Sequence, residues 1–211
     1  AASPVMATFD VDNTGTAKRV NTTPTVMWVD GNDQFLPQRA DMDPYFGLGV
    51  KALGVTPTFT KCTTTQQSQI VTALNSADAY AANAKTYFGS HSATSISARY
   101  TTWFGAATPA RYTTGTNHFD AIQAAFATKP ITVDCGCKKT YYAYVYPTQP
   151  YKIYVCKAFW SAPNTGTDSR AGTLIHEMSH FNAVAGTDDH VYGQAGAKSL
   201  AISNPDNALD N

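Results

Sequence analysis

Residues 176–180 read His-Glu-Met-Ser-His, and this run constrains the chain more than any other. On an α-helix two histidines four positions apart stand on one face a single turn from each other, where both imidazoles can reach one cation with the glutamate beside the first. The flanks, Thr173-Leu-Ile175 and Phe181, are apolar, so the run predicts a buried helix from about Ser169 to Ala183. A His-Glu-His cluster is costly in such a setting without a metal or polar partners. Neutral imidazole suits zinc, and a catalytic zinc takes three protein ligands and keeps a fourth position for water. The expected cofactor is therefore one Zn2+ ion held in part by His176 and His180. Glu177 is placed to take a proton from the water and later pass it to a leaving amine.

The third ligand separates the branches of zincins that share this helix. The extended metzincin pattern needs glycine at position 183 and histidine at 186, but these are Ala183 and Gly186. Thermolysin-like sites use a downstream glutamate, yet Glu177 is the only glutamate in the chain. What remains is Gly186-Thr-Asp188-Asp189-His190-Val191-Tyr192-Gly193, whose two aspartates and one histidine could each coordinate.

The rest of the chain divides into two regions. At 211 residues it has room for one domain and a modest extra piece, since domains usually run about 100–200 residues. Residues 1 to about 56 carry short strand-like runs, Val5 to Val11 and Thr25 to Val29, separated by an Asp12-Asn-Thr-Gly15 turn. Such hairpins are too little to fold alone. Beyond them, helices are expected from Thr63 to Gly89, Ile96 to Phe104 and His118 to Ala127. Strands follow at Ile131–Val133, Thr140–Tyr146 and Tyr151–Val155, and these read as a small antiparallel sheet. The alternating Tyr141-Tyr-Ala-Tyr-Val-Tyr146 run fits a half-buried strand or an edge to which a peptide could add.

Fifteen basic residues balance fifteen acidic ones, so no global field favours nucleic acid or an anionic membrane, and Lys138-Lys139 is too short a basic run to alter that. No apolar run approaches the length of a spanning helix, and Ala1-Ala-Ser-Pro-Val lacks the regions of a signal peptide, so a leader on an exported chain would already be gone. Cys62, Cys135, Cys137 and Cys156 are even in number, and Cys135-Gly-Cys137 is too tight for a zinc knuckle. Two disulfides and an oxidising compartment are expected, with three connectivities open. His91 and His118 stand alone in polar or amphipathic stretches and receive no role, and the Asn21-Thr-Thr acceptor pattern carries little weight.

At the zinc helix and its downstream run the chain resembles the aspzincins, which include deuterolysins and peptidyl-Lys metalloendopeptidases. Their signature joins the helix to Gly-Thr-x-Asp-x-x-Tyr-Gly, matched here from Gly186 to Gly193 at every fixed position. The resemblance implies Asp189 as third zinc ligand and Tyr192 as the phenol that stabilises the oxyanion, with Asp188 and His190 at variable positions. It continues through Tyr100-Thr-Thr-Trp103-Phe-Gly105, Tyr144-Val-Tyr-Pro147, Ala158-Phe-Trp160 and Thr165-Gly-Thr-Asp168-Ser169. It implies pairing of Cys62 with Cys135 and of Cys137 with Cys156.

The implied fold class is α+β: a mainly helical zincin-like domain over residues 57–211 with a small antiparallel sheet, preceded by a β-rich segment over 1–56. Phe9-Asp-Val-Asp-Asn-Thr-Gly15 resembles the end of the propeptide that precedes such domains, so 1–56 is expected to be a propeptide remnant that could cover the cleft. The implied activity is that of a secreted, monomeric zinc endopeptidase acting on protein or peptide substrates. A lysine preference is implied by overall resemblance, although the acidic segment that accepts lysine in those relatives is expected beyond Asn211, and Asp206 and Asp210 do not match its positions.

Overall fold

The computed structural model describes residues 54–211 in full, together with the backbone of two short strands, β1 (Asp10–Val11) and β2 (Ala17–Asn21). The expected strand residues Val5–Phe9 and Thr25–Val29, and the Asp12–Gly15 turn, lie outside the described residues. The partner of β1 is β2, paired antiparallel with Asp10 opposite Lys18. The charged pair Lys18-Arg19 had given no strand signal in sequence.

The helical layer begins with α1 (Thr64–Ser90). Thr63 starts it through a capping box, its hydroxyl accepting from the Gln66 amide while the Gln66 side chain accepts from the Thr63 amide. Ile70, Ala73, Leu74, Ala77, Tyr80, Ala81, Ala84, Tyr87 and Phe88 then form one buried stripe at helical spacing. A short helix, α2 (Ala98–Phe104), is stopped by Gly105, whose φ of 74° favours glycine. α3 (Pro109–Thr128) starts at the Thr108 cap with Pro109 in its first turn. It lies along α1, and at the contact the Phe88 ring fills the space where a Gly115 Cβ would stand.

The sheet is built from β3 (Thr58–Thr60), β4 (Thr132–Asp134), β5 (Ala143–Val145) and β6 (Lys152–Val155), with spatial order β1-β2-β5-β6-β4-β3. It is mixed, which corrects the antiparallel expectation: β3 pairs parallel with β4, and β4 parallel with β6. The physical reason is the connection. The helices α1, α2 and α3 all lie between β3 and β4, and a helical crossover returns the chain in the same direction. The β5–β6 hairpin and the pairs β2–β5 and β1–β2 run antiparallel.

Both disulfides fasten the ends of these parallel strands. Cys62, just past β3, bonds Cys135, just past β4. Cys137 bonds Cys156, which follows β6 and caps the short helix α4 (Lys157–Ser161). Ala143, Val145, Ile153 and Val155 turn inward and are fully buried, while Tyr144 and Tyr154 stack on the other face at 4.6 Å.

The helix carrying the histidines, α5 (Arg170–Ser179), is capped by the Ser169 hydroxyl and packs against α1, α3, β5 and β6. Ala171, Leu174 and Met178 are its fully buried seam. Two further helices, α6 (Gly193–Ser203) and α7 (Pro205–Asp210), close the fold against α2, and α7 also reaches α3. No described helix is long and apolar enough to cross a membrane.

Candidate metal centre

α5 ends four residues short of the predicted Ala183, with His180 as its C-cap. His180 still has helical angles, φ −72° and ψ −19°, so the i, i+4 relation to His176 is preserved. The two Nε2 atoms lie 2.9 Å apart. Asp189 Oδ1 comes back to them from the loop after α5, 3.0 Å from His176 Nε2 and 3.3 Å from His180 Nε2. Of the three downstream candidates, Asp189 alone joins the histidines among the described residues. Asp188 instead donates its amide to the Asp210 carbonyl, and His190 faces the Asp210 carboxylate at 2.7 Å.

This triangle fits zinc. Tetrahedral bonds of about 2.0–2.1 Å set ligand atoms about 3.3–3.4 Å apart, close to the spacing found. A second indication is Glu177, which is 0% exposed and has neither carboxylate oxygen hydrogen-bonded. A buried carboxylate in that condition is costly unless a cation or a bound water faces it. Burial first, and the Asp189 carboxylate second, push the Glu177 carboxyl well above the usual range. Burial also acts to raise Asp189, but the His176 and His180 rings beside it outweigh that and hold Asp189 well below the carboxylate range.

Supporting bonds orient His180. Its Nδ1 faces the Thr187 carbonyl at 2.8 Å, and a carbonyl can only accept, so Nδ1 carries the proton and Nε2 keeps its lone pair for a metal. The Thr187 hydroxyl is 3.2 Å from the same Nδ1 and 2.7 Å from the Ser179 hydroxyl, which donates to the His176 carbonyl. Ser179 and Thr187 thus tie the ligand loop back to the helix. The sequence reading assigned them no role, although Thr187 occupies a fixed position of the Gly-Thr-x-Asp run. Gly186, with φ of 64°, makes the turn that brings Thr187 back.

Tyr192 Oη donates to Asp189 Oδ2 at 2.8 Å, which puts the phenol at the metal site. His91 stacks on Tyr87 at 4.2 Å, and His118 lies in α3 beside the Leu209 backbone, so neither joins the centre.

Comparisons with known proteins identify the family. The model of the lysine-specific metallo-endopeptidase family matches residues 88–211. An extracellular protease of Aeromonas hydrophila is 47% identical over 188 residues, covering 88% of this chain and 52% of its own length. A peptidyl-Lys metalloendopeptidase of Pleurotus ostreatus is 52% identical over 155 residues, covering 73% of this chain and 90% of its own. A solved zinc peptidase from Grifola frondosa superposes with a TM-score of 0.68 at 43% identity, over 71% of this chain and 91% of that one. The chain spans about half the length of the Aeromonas relative. On the strength of these matches, the chain belongs to the lysine-specific metallo-endopeptidase family, the aspzincins.

Proposed function

We propose that this chain is a secreted zinc-dependent endopeptidase that hydrolyses peptide bonds in proteins and prefers lysine on the primed side of the cleaved bond. The observation that carries this reading is the convergence of His176, His180 and Asp189 beside a buried Glu177 carboxylate with no hydrogen-bond partner. These three residues would hold one zinc ion. Zinc there supplies the positive charge that polarises the scissile carbonyl and acidifies the attacking water. Glu177, whose raised basicity suits it to accept a proton, takes one from the water and returns it to the departing amine. Tyr192 turns its O–H from Asp189 Oδ2 to the substrate oxygen as negative charge grows there, which lowers the barrier without tightening ground-state binding.

Lysine preference rests on the family description and on the Pleurotus relative, which is a peptidyl-Lys metalloendopeptidase. Casein hydrolysis by the parent chain, lost with a zinc chelator and in Glu177→Ala, tests the activity. A chain that binds one zinc and stays inert both intact and after limited proteolysis near residues 50–60 overturns it for this chain. A peptide-library digest with no lysine enrichment at the first primed position overturns the specificity.

Residues 1–56 act, on this reading, as a pro-segment that keeps the enzyme latent. β2 lies antiparallel on β5, with Arg19 opposite Val145 and Asn21 opposite Ala143, where an extended peptide would add as a strand. The Aeromonas match is longer than the stretch from residue 54 to the end and so runs upstream into this segment, whereas the Pleurotus match does not require it. Limited proteolysis near residues 50–60 should raise activity; unchanged activity after complete removal argues against latency.

A further inference from the structure

The loop that carries Asp189 has no helix or strand of its own between Gly186 and Tyr192. Its amides must therefore be satisfied from outside, and a ligand on such a loop is only as well placed as those bonds make it. On one side Thr187 ties the loop to Ser179 and His180. On the other side three amides around Asp189 all reach the end of α7. The Asp188 amide donates to the Asp210 carbonyl at 2.8 Å, and the His190 and Val191 amides both donate to Asn211 Oδ1, at 2.9 and 2.8 Å. One side-chain oxygen thus receives two successive main-chain donors immediately after the ligand residue.

The end of α7 is a firm support. Ala208 and Leu209 are buried, the helix packs on α2, α3 and α6, and its first turn is held by the Asn204 cap and by the Arg111–Asp206 pair at 2.6 Å. The His190–Asp210 contact at 2.7 Å adds a further link between helix end and loop. We infer that Asn211 is a positioning residue for the metal centre: its side-chain oxygen, together with the Asp210 carbonyl, clamps the loop so that Asp189 Oδ1 stays on the histidine pair. The inference rests on the reading of Asp189 as a zinc ligand. It adds a group outside the Gly-Thr-x-Asp-x-x-Tyr-Gly run that controls how tightly that run holds the metal.

The test uses the whole 1–211 chain and compares the parent with Asn211→Ala, Asn211→Asp and Asp206→Ala. The readouts are zinc dissociation constant by chelator competition, the visible spectrum of the Co2+-substituted protein, and hydrogen exchange at the 190 and 191 amides. Asn211→Ala should weaken zinc by about tenfold or more, alter the cobalt spectrum and speed exchange at both amides. Asn211→Asp keeps an acceptor oxygen and should restore tight binding. Asp206→Ala loosens the far end of α7 without touching the loop and should leave zinc affinity within about twofold of the parent.

Parent-like affinity and spectrum in Asn211→Ala overturn the inference. So does an Asn211→Asp variant as weak as Asn211→Ala, which would remove the acceptor as the cause. An Asp206→Ala variant as weak as Asn211→Ala would reduce the effect to general loosening and overturn it as well. A parent that binds no zinc overturns the underlying metal reading and this inference with it, a result distinct from a parent that binds zinc and variants that match it.

Discussion

Glu177 offers a quantitative check on the site that does not depend on turnover. Its carboxylate is fully buried, neither oxygen has a hydrogen-bond partner, and the Asp189 carboxylate adds to the burial in raising its pKa. In the metal-free protein the folded state therefore holds a proton at pH values where the unfolded chain, with a glutamate pKa of about 4.3, has released it. The unfolded state then binds fewer protons than the native state, so stability must fall as pH rises. One proton corresponds to a slope of about −1.4 kcal/mol per pH unit, starting above about pH 4.3 and levelling once the native carboxyl also ionises.

Glu177→Gln keeps the shape of the side chain and removes the titration. The stability of the parent minus that of the variant, measured by urea unfolding from pH 4 to 8 in chelator, should follow that slope. Above about pH 4.3 the metal-free variant should gain on the parent by about 1.4 kcal/mol for each pH unit over which the native carboxyl keeps its proton. Saturating zinc should shrink the difference, because a cation beside the carboxylate favours its charged form. Trp103, 4% exposed against the helical core, gives a fluorescence signal for the transition. A flat difference between parent and variant across the whole pH range would refute the argument, since it would mean that Glu177 is solvated or already paired.

Other consequences can be measured with less apparatus. Replacing Cys62 and Cys135 by alanine opens a span of 73 residues, against 19 for Cys137 and Cys156, so loop-closure entropy gives losses of about 4 and about 3 kcal/mol respectively. Thermal unfolding of the two double variants should rank them in that order. Gly105→Ala should cost about 3 kcal/mol or more by urea unfolding, because residue 105 has φ of 74° and a Cβ there would stand 1.9 Å from the Ala201 carbonyl oxygen. Thr187→Val retains the carbonyl that fixes His180 but removes the hydroxyl bridge to Ser179, and chelator competition should find zinc held up to about tenfold more weakly.

The part of the site encoded locally was legible in the sequence. His176, Glu177 and His180 are placed by helical spacing alone, and apolar neighbours marked that helix as buried. The spacing still left Asp188, Asp189 and His190 open as third ligand. A loop without periodicity does not declare which side chain turns inward, and only the resemblance singled out Asp189. The bonds from Thr187 to Ser179 and from Asn211 to the His190 and Val191 amides join separate loops through space, so nothing in the local pattern announces them.

The fold divides along the same line. α1 was legible because its buried stripe is continuous, whereas the first half of α3 was hidden by Tyr112-Thr-Thr-Gly-Thr116, residues of modest helix propensity. The start signal was nonetheless present, since Thr108-Pro109 has the same cap-then-proline form as Asn204-Pro205 at the head of α7. Strand direction was the one property that no window of sequence could supply. Whether β4 runs with β3 or against it depends on the path of the roughly seventy residues between them, and that path is set by how α1, α2 and α3 pack. The mixed sheet also bears on function. β6 pairs parallel with β4 and antiparallel with β5, and the far edge of β5 is taken by β2, so β5 and β2 both lie against the zinc helix as neighbouring antiparallel strands.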